Sequence, residues 1–424
     1  MIYGRIPNLA YLRRSRGVSI VVGMLVIAGL ILFFACKDKE KANKVSLVKV
    51  GILYPMTGYM ADKGRDSADG VSLAVEEINA AGGVMALGGA AIEIILSDTQ
   101  GQPDIGMKAA ERLIHEDRVV AIIGAYQSSV TKKATQVAEQ FETPFIVSIS
   151  IADIITERGF RYTFRLQPKA ADYAREQVRF LSELVRLAGY PVKRVALLHE
   201  NSDFGTSTAL SQKKALRDFG MDLVIAVSYE AEGVKDLSHE VSLVLAALPD
   251  AILEVTYLND SILIRRALAA AGSRIPLIDT AGGTVSPEYV EKLGLLADGV
   301  LTLTEFSKYV PGGKALNERF RARFGVDITG DSAYAYQAVW VLKDALERAG
   351  STERKKIRSA LAATDISKGP HLMLPAERLH FDGQGQNSAA RLFISQIRHG
   401  ELVPVWPPEY ATGKVCLKEC WKNE

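Results

Sequence analysis

The sequence has almost no charge surplus of either sign. Its 424 residues carry 51 Lys and Arg against 49 Asp and Glu, which gives a formal net charge of +2 at pH 7. A nucleic-acid-binding protein needs a clear basic excess, so we expect no nucleic-acid partner. With 48% hydrophobic and 24% charged residues, the composition also excludes a disordered or fibrous chain.

Cysteine and histidine are scarce, with three and six residues respectively. Cys416 and Cys420 lie four positions apart, a spacing that fits either a terminal disulfide or two free thiols, and no further metal-ligating side chains stand nearby. The chain contains no G-x-x-x-x-G-K-[ST], G-x-S-x-G, H-E-x-x-H or C-x-x-C motif, and the glycine-rich segment 81–90 lacks dinucleotide-binding spacing. We therefore expect no metal, no cofactor and no catalysis.

One long hydrophobic run stands near the N-terminus. Four arginines precede an uncharged stretch at 17–35, and Cys36 follows at once. This order is typical of an export signal, and the segment L-F-F-A-C resembles a bacterial lipobox, whose Cys is lipidated. We predict a signal peptide at 1–35, a lipid anchor on Cys36 and a tether at 36–45. An uncleaved membrane anchor and a signal without lipid are the alternatives, and each of them places the body outside the cytoplasm, in the periplasm or at the outer face of the cell membrane.

Beyond the leader, short β-branched runs alternate with segments of helical periodicity. This alternation predicts the α/β class with parallel sheets covered on both faces. Two doubly wound lobes of five or six strands each fit the length better than one large sheet, and ligands of such sheets bind at the carboxyl ends of the strands. The predicted strands are 48–54, 92–96, 119–123, 145–147, 194–198, 223–227, 251–255, 276–278 and 299–303, and the predicted helices are 67–81, 103–115, 130–141, 171–188, 206–219, 237–248, 261–271 and 333–349.

Several sequence blocks, taken in their order, resemble one family. They are K-V-G-I-L-Y-P-M-T-G, D-G-V-S-L-A-V-E-E-I-N-A-A-G-G-V, I-L-S-D-T-Q-G-Q-P, A-A-E-R-L-I-H-E-D-R-V-V-A-I-I-G, A-Y-A-Y-Q-A-V-W-V-L and L-H-F-D-G-Q-G-Q. Over residues 48–406 the chain is similar to the type I periplasmic binding proteins for leucine, isoleucine and valine, the extracytoplasmic receptors of ABC importers. The resemblance implies two lobes joined by three crossovers, with the ligand between them. It also implies a closed form that an ABC permease recognises.

The resemblance sets the expected domain boundaries. It places crossovers near 165–166, 304–306 and 374–378. The expected parts are an N-terminal lobe of 46–165 plus 307–375, a C-terminal lobe of 166–305 plus 376–408, and a tail at 409–424. We expect a monomer held at the membrane by its lipid.

The resemblance also assigns ligand contacts in the N-terminal lobe. In the segment 124–131 a strand ends and a helix begins. The first N–H groups of that helix, with Tyr126, Ser128 and Ser129, would bind an α-carboxylate, and simple helix capping by a serine is the alternative. In the following loop, Ser150 would supply a hydroxyl and Ala152 a backbone contact.

Phe204 and Tyr257 are the expected contacts from the other lobe, where they would cover the ligand; core packing is the alternative for Phe204. Two positions depart from the family pattern. Ala281 stands where an acid would pair with the ligand's ammonium, and Asp279 either substitutes for that acid or caps a turn. Lys63 replaces an aromatic residue and is either solvated or a partner for a second anionic group.

These departures leave the ligand class open among a branched-chain or other amino acid, a dicarboxylate and an aromatic acid. The function predicted from the sequence is that of a solute-binding lipoprotein that delivers its ligand to an ABC importer. A ligand sensor for a regulatory partner and, more remotely, an exported α/β enzyme are the alternatives.

Overall fold

Two sheets, one parallel and one mostly parallel, form the framework of the computed structural model, which describes Met1 and residues 47–309, 312–369, 376 and 378–417. The first sheet has the strand order β2-β1-β3-β4-β5, with every neighbouring pair parallel. Its strands are β1 (Leu47–Tyr54), β2 (Ala91–Asp98), β3 (Ala121–Gly124), β4 (Phe145–Val147) and β5 (Thr163–Arg165).

The second sheet has the order β14-β13-β10-β9-β8-β6-β7, and β11 and β12 form a separate two-stranded ribbon. In this sheet β13 runs antiparallel to β10 and β14 antiparallel to β13, while the other pairs are parallel. The strands are β6 (Arg194–Glu200), β7 (Asp222–Tyr229), β8 (Ala251–Val255), β9 (Leu277–Asp279), β10 (Leu301–Thr304), β11 (Asp365–Ile366), β12 (Leu379–His380), β13 (Phe393–Arg398) and β14 (Glu401–Trp406).

Helices connect the strands and bury their apolar faces against the sheets. Local signals fix several of their ends: α2 begins with Pro103, whose missing N–H costs nothing in a first turn, and α4 ends at Gly189 in the left-handed conformation. The helices of the described residues are α1 (Ala61–Ala80), α2 (Pro103–His115), α3 (Ser128–Gln140), α4 (Ala170–Ala188), α5 (Asp203–Asp218), α6 (Ser238–Ala246), α7 (Leu258–Ala270), α8 (Pro287–Leu293), α9 (Gly313–Phe324), α10 (Gly330–Ala349) and α11 (Arg354–Ala362).

The predicted α/β class with two doubly wound lobes is confirmed. The strands at 145–147 and 251–255 and the helix at 103–115 have the predicted bounds. The second sheet also carries an antiparallel hairpin of β13 and β14 at its edge, and the sequence pattern did not predict these two strands. The sequence analysis did not predict β5, α8, α9 and α11. β5 has only three residues, α8 and α11 have seven and nine, and α9 is rich in charged residues.

The last crossover lies later in the chain than the predicted 374–378. β12 pairs with β11, and Gln386 forms a parallel bridge with Arg165 of the first sheet. The ring of Phe381 packs on the ring of Phe164 in β5, with centroids 5.2 Å apart. Residues 379–387 therefore stay with the first lobe, and the chain crosses before β13.

Helices α1 and α10 approach each other closely in the first lobe. Gly70 of α1 is buried, and a Cβ added there would lie 2.1 Å from the carbonyl oxygen of Ser332 in α10. Only a glycine permits this separation. The contact matters for the site described below, because Ser332 follows directly on a residue of the cleft.

Gly70→Ala should lower the free energy of unfolding by about 1–3 kcal/mol, because the two helices must separate to admit the methyl group. Urea denaturation measures this change. Gly383→Ala is the matched control, since an added Cβ there meets no atom within 4 Å, and it should stay within about 0.5 kcal/mol of the parent. Equal unfolding midpoints for the two variants would contradict the close approach of α1 and α10.

Candidate functional site

An inner cavity lies between the two lobes, at the carboxyl ends of their strands. Loops after β3 and β4 and the start of α10 line it from the first lobe, and loops after β6, β8, β9 and β10 line it from the second. This is the place that the switch-point rule assigns to ligands of doubly wound sheets. We call the part of the cavity around Ser128 and Ser150 the anion-binding half, after the role proposed for it below, and the part around Glu305 and Asp331 the acidic half; aromatic side chains line the cavity as well.

Ser128, the first residue of α3, forms the anion-binding half. Its side chain is buried and lines the cavity, and its Oγ accepts a hydrogen bond of 3.3 Å from the backbone N–H of Ala152. The hydroxyl proton is therefore left for another acceptor. The first N–H groups of the helix and its positive dipole end lie at the same place. A helix start with a free hydroxyl donor is suited to bind a carboxylate.

Gly124 allows the chain to turn from β3 toward this helix. Its φ is +146°, and a Cβ there would lie 2.3 Å from the carbonyl oxygen of Leu53. A side chain is excluded at this position both by backbone conformation and by space. The strand thus ends where the loop carrying Tyr126 and Ser128 must begin.

Ser150 lines the same half, but its hydroxyl is held by the protein. It lies 2.9 Å from the carbonyl oxygens of Ala125 and Tyr126 and contacts the hydroxyl of Thr131. Its main role is to fix the loop before α3. Of the other predicted contacts, Ala152 orients Ser128 without lining the cavity, and the half-buried Ser129 does not line it.

Aromatic side chains form a further part of the cavity lining. Phe204, at the start of α5, and Tyr257, before α7, have ring centroids 5.5 Å apart and both line the cavity together with Tyr126. Tyr59 of the first lobe meets the Tyr257 ring edge-on at 6.3 Å. Phe204 and Tyr257, which the sequence analysis proposed as ligand contacts, thus present ring surfaces to the cavity.

Two carboxylates that the sequence analysis did not identify form the acidic half. Glu305 directly follows β10, and Asp331 is the second residue of α10; both are buried and line the cavity. The hydroxyl of Tyr173 donates to Glu305, and that of Tyr126 donates to Asp331 over 3.4 Å. Glu305 could have been predicted from the sequence because it directly follows a strand. The rule that ligands bind at the carboxyl ends of strands had selected the other loops in the same way.

Burial governs the protonation of this half. It raises the pKa of Glu305 to about 8, against the hydrogen bond from Tyr173, which lowers it. Burial likewise raises the pKa of Asp331, and the nearby Lys63 opposes that shift. A cationic group placed between these carboxylates would favour their charged forms.

Lys63 is buried and lies behind Asp331, with its Nζ 3.5 Å from the carboxylate. It does not line the inner cavity but opens on a second cavity of ≈ 590 Å³. Its charge is thus already compensated by Asp331. The sequence analysis left Lys63 either solvated or paired with a second anionic group of the ligand. In the structure its partner is the carboxylate of Asp331.

Asp279 does not reach the cavity. Its carboxylate is fully buried and accepts hydrogen bonds from the hydroxyls of Thr256 and Thr284 at 3.0 and 2.6 Å and from the N–H of Gly282 at 3.1 Å. These bonds occupy both oxygens and fix the loop that brings Ala281 to the cavity wall. Its contacts support the turn-capping alternative over pairing with a ligand.

Two wider cavities adjoin the inner one. Glu305 lines both the inner cavity and one of ≈ 460 Å³, and Tyr257 lines both the inner cavity and the one of ≈ 590 Å³. Glu305 and Tyr257 are therefore the walls that separate the inner cavity from the outer parts of the cleft.

The remaining predictions concern metals and the chain ends. Within the described ranges no group of three or more His, Cys, Asp or Glu side chains is arranged to hold a metal ion. The same residues include no helix that combines the length and the apolarity needed to cross a membrane. Cys416 is disulfide-bonded, while the leader, Cys36 and Cys420 lie outside the described residues.

Comparison with known proteins gives consistent matches over most of the chain. The family model described as periplasmic binding protein matches residues 47–400. The Leu/Ile/Val-binding protein homolog 7 of Brucella melitensis is 30% identical over 390 residues, covering 88% of this chain and 94% of the relative. Homolog 8 of Brucella abortus is 30% identical over 386 residues, covering 88% and 93%.

Solved structures share the fold. The leucine-binding protein of Thermotoga maritima superposes with a TM-score of 0.74 at 24% identity, covering 84% of this chain and 97% of that one. The branched-chain amino acid binding protein of Streptococcus pneumoniae, in complex with isoleucine, has a TM-score of 0.74 at 22% identity with the same coverage. A solute-binding protein of Rhodopseudomonas palustris, in complex with 3,4-dihydroxybenzoic acid, has 0.73 at 22%, covering 84% and 95%.

The stability of the ligand-free protein should fall as the pH rises from about 5 to 8. In this range the Glu305 carboxyl ionises in the unfolded chain, whereas burial keeps it protonated in the folded protein, with a pKa of about 8 against an ordinary 4.5. The group should lower the free energy of unfolding by up to about 1.4 kcal/mol per pH unit. Urea denaturation at pH 5, 6, 7 and 8 measures the effect.

Glu305→Gln should remove this component of the pH dependence, while Glu318→Gln, at an exposed position, should leave it unchanged. Other buried acids such as Asp66 and Asp260 are present in all three proteins, so the difference between the parent and Glu305→Gln reports on Glu305 together with its coupling to Asp331. A stability difference between the parent and Glu305→Gln that stays flat from pH 5 to 8 would show that Glu305 ionises normally.

Proposed function

The chain belongs to the type I periplasmic binding proteins of the branched-chain amino acid family, and from that premise we propose that it captures a small α-amino acid between its lobes for an ABC importer. Members of this family are extracytoplasmic substrate-binding proteins and not enzymes. Solved proteins of the same fold hold isoleucine in one case and an aromatic acid in another. The chemistry of the cleft therefore has to decide the ligand class.

The proposal rests on one observation: the inner cavity is lined by one group of residues that suits an anion and another group that suits a cation. Ser128 and the start of α3 suit a carboxylate, and the buried carboxylates of Glu305 and Asp331 suit a cation. An α-amino acid carries both groups on one carbon. A dicarboxylate would instead place its second anion beside Asp331 and would be accepted by Glu305 only in its protonated form, and Lys63 is already paired with Asp331.

The aromatic wall supports an apolar side chain on the ligand. Phe204 and Tyr257 present ring surfaces to the cavity. Burying an aliphatic group against them stabilises the complex by roughly 25 cal/mol per Å² of apolar surface. A branched-chain amino acid combines this group with the carboxylate and the ammonium.

Closure of the lobes is the proposed mechanism of capture. Direct contacts already span the lobes: Lys132 Nζ lies 3.0 Å from Asp203, and the hydroxyl of Ser211 donates to Asp153 over 2.8 Å. A ligand that touches both lobes adds to these contacts only in the closed arrangement. It therefore shifts the population toward the form that a permease would recognise.

The proposed location follows from the leader and the family together. Periplasmic binding proteins work outside the cytoplasm, and Cys36 after its apolar run supplies a lipid anchor in this proposal. Mass spectrometry of the protein from membranes tests it, since lipidation removes residues 1–35 and adds acyl mass to Cys36. Co-purification with a permease discriminates transport from sensing by a regulatory partner.

Calorimetry of the chain from residue 37 onward should show that leucine binds and that both of its charged groups are required. Leucine without its amine, as the corresponding 2-keto acid, and leucine without its carboxylate, as isoamylamine, should each bind about 10- to 100-fold more weakly, because each leaves a charged or polar partner unsatisfied. Succinate is the dicarboxylate control and should not bind. A preference for succinate or for the keto acid would overturn the amino-acid assignment.

Ser128→Ala should weaken leucine binding by about 1–3 kcal/mol, because the carboxylate loses a hydroxyl donor in a buried site. Ser129→Ala is the neighbouring comparison and should cost less than about 0.5 kcal/mol, since that side chain does not line the cavity. Calorimetric affinities measure both variants. Equal effects at the two serines would assign the carboxylate to the helix backbone alone.

A further inference from the structure

Arg165, the last residue of β5, is fully buried. Burial lowers the pKa of its guanidinium to about 10, so it stays charged at neutral pH. The described residues place no carboxylate within ion-pair distance of it, and its charge is satisfied by oxygen atoms of carbonyl, hydroxyl and amide groups. Burying a cation of this kind costs free energy. The hydrogen bonds that hold the guanidinium therefore indicate its role.

The guanidinium joins two parts of the chain that are far apart in sequence. Its Nη1 donates to the carbonyl oxygen of Ala152 over 2.7 Å, and its Nη2 donates to the hydroxyl of Thr156 over 2.7 Å. Its Nε donates to the side-chain oxygen of Gln386 over 2.6 Å. Arg165 thus lies at the first crossover. It hydrogen-bonds both to the loop after β4 and to the segment that leads to the third crossover.

The contact with Ala152 reaches the anion-binding half of the cavity. The carbonyl of Ala152 is held by Arg165, and the N–H of the same residue donates to the Oγ of Ser128. A shift of the guanidinium therefore moves the residue that orients the Ser128 hydroxyl. The positive charge also lies behind the loop at which a ligand carboxylate would bind.

The contact with Gln386 reaches the acidic half. The side-chain amide of Gln386 donates to the carbonyl oxygen of Gln167 over 2.6 Å, and Gln167 lines the cavity. The hydroxyl of Tyr173 lies 3.0 Å from the side-chain oxygen of Gln167 and also contacts Glu305, which begins the second crossover. One hydrogen-bonded network therefore connects both halves of the cavity with all three crossovers.

We propose that Arg165 is a positioning residue that couples capture of the ligand carboxylate to the arrangement of the crossovers, and hence to closure of the lobes. This inference rests on the proposed function. A lysine cannot replace it, because the planar guanidinium serves three acceptors in fixed directions and an ammonium is a single compact charge. A residue that only filled the core of the first lobe would need neither the link to Gln386 nor the link to Ser128.

The test compares Arg165→Lys with Arg265→Lys, a buried arginine of the second lobe whose Nε donates to the carbonyl oxygen of Leu296. In the ligand-free full chain, hydrogen exchange followed by mass spectrometry should show faster exchange in both 148–156 and 382–388 for Arg165→Lys. Arg265→Lys should change neither segment. This readout does not depend on the identity of the ligand.

Leucine binding provides the second readout. Arg165→Lys should bind leucine at least tenfold more weakly, and leucine should no longer produce the compaction that small-angle scattering detects in the parent, whereas Arg265→Lys should match the parent in both. Gln386→Met cuts the network on its other side and should impair compaction more than affinity, because the contact between Arg165 and Ala152 remains. It also serves as the test if Arg165→Lys does not fold.

The failures are distinguishable. If the parent binds no amino acid, the proposed function fails, while the exchange experiment still judges the network. If the parent binds leucine but Arg165→Lys retains parental affinity and compaction, or shows faster exchange only around 163–167, Arg165 is a local structural residue and the coupling is wrong. The same holds if Gln386→Met compacts as fully as the parent.

Discussion

Burial of carboxylates between the two lobes is the constraint on which the rest of the site depends. Glu305 and Asp331 are each removed from water, which penalises their charged forms and raises their pKa values. The surroundings offset part of that penalty. Lys63 pairs with Asp331, and the start of α10 lies so close to Glu305 that an added Cβ on Gly330 would stand 2.9 Å from its Oε2. The positive end of that helix and one lysine compensate only part of the cost of burying two carboxylates. A cationic ligand that compensated the rest would therefore bind more strongly.

The two cations of the site stand behind its walls and not in the cavity. Lys63 lies behind Asp331, and Arg165 lies behind the loop that carries Ser150 and Ala152. Each acts through a neighbouring group. Burial raises the pKa of Asp331 and Lys63 lowers it, and Arg165 adds positive potential to the loop at which the proposed ligand carboxylate would bind. Among the described residues, the lining of the inner cavity therefore includes no lysine or arginine to receive a second carboxylate. Preorganised groups of this kind need little rearrangement when the ligand arrives.

The sequence predicted those parts of the fold that depend on local pattern. The runs at 145–147 and 251–255 are short and buried on both faces, and Glu254 is their one charged residue, so their composition predicts interior strands. Helix α1 begins at Ala61, six residues before the prediction, because its first turns are polar and contain Gly64. The position of Ser128 at the start of a helix can be recognised from the sequence, and the family resemblance gives its expected role as a ligand contact. Glu305, Asp331 and the role of Asp279 depend on tertiary placement, since each is defined by partners that come from other elements of the chain.

The energetics of closure favour a ligand that engages both lobes. The pair between Lys132 and Asp203 is partly exposed, with side-chain exposures of 44% and 32%, and such pairs contribute about 0–1 kcal/mol. Contacts of this strength hold the lobes together only marginally, so the ligand must supply most of the difference between the open and closed forms. A simple carboxylic acid would satisfy Ser128 in the first lobe and add little in the second. In the proposed function, an amino acid whose side chain lay against Phe204 and Tyr257 would bind the closed form in preference to the open one, and only such a difference in affinity can move the lobes.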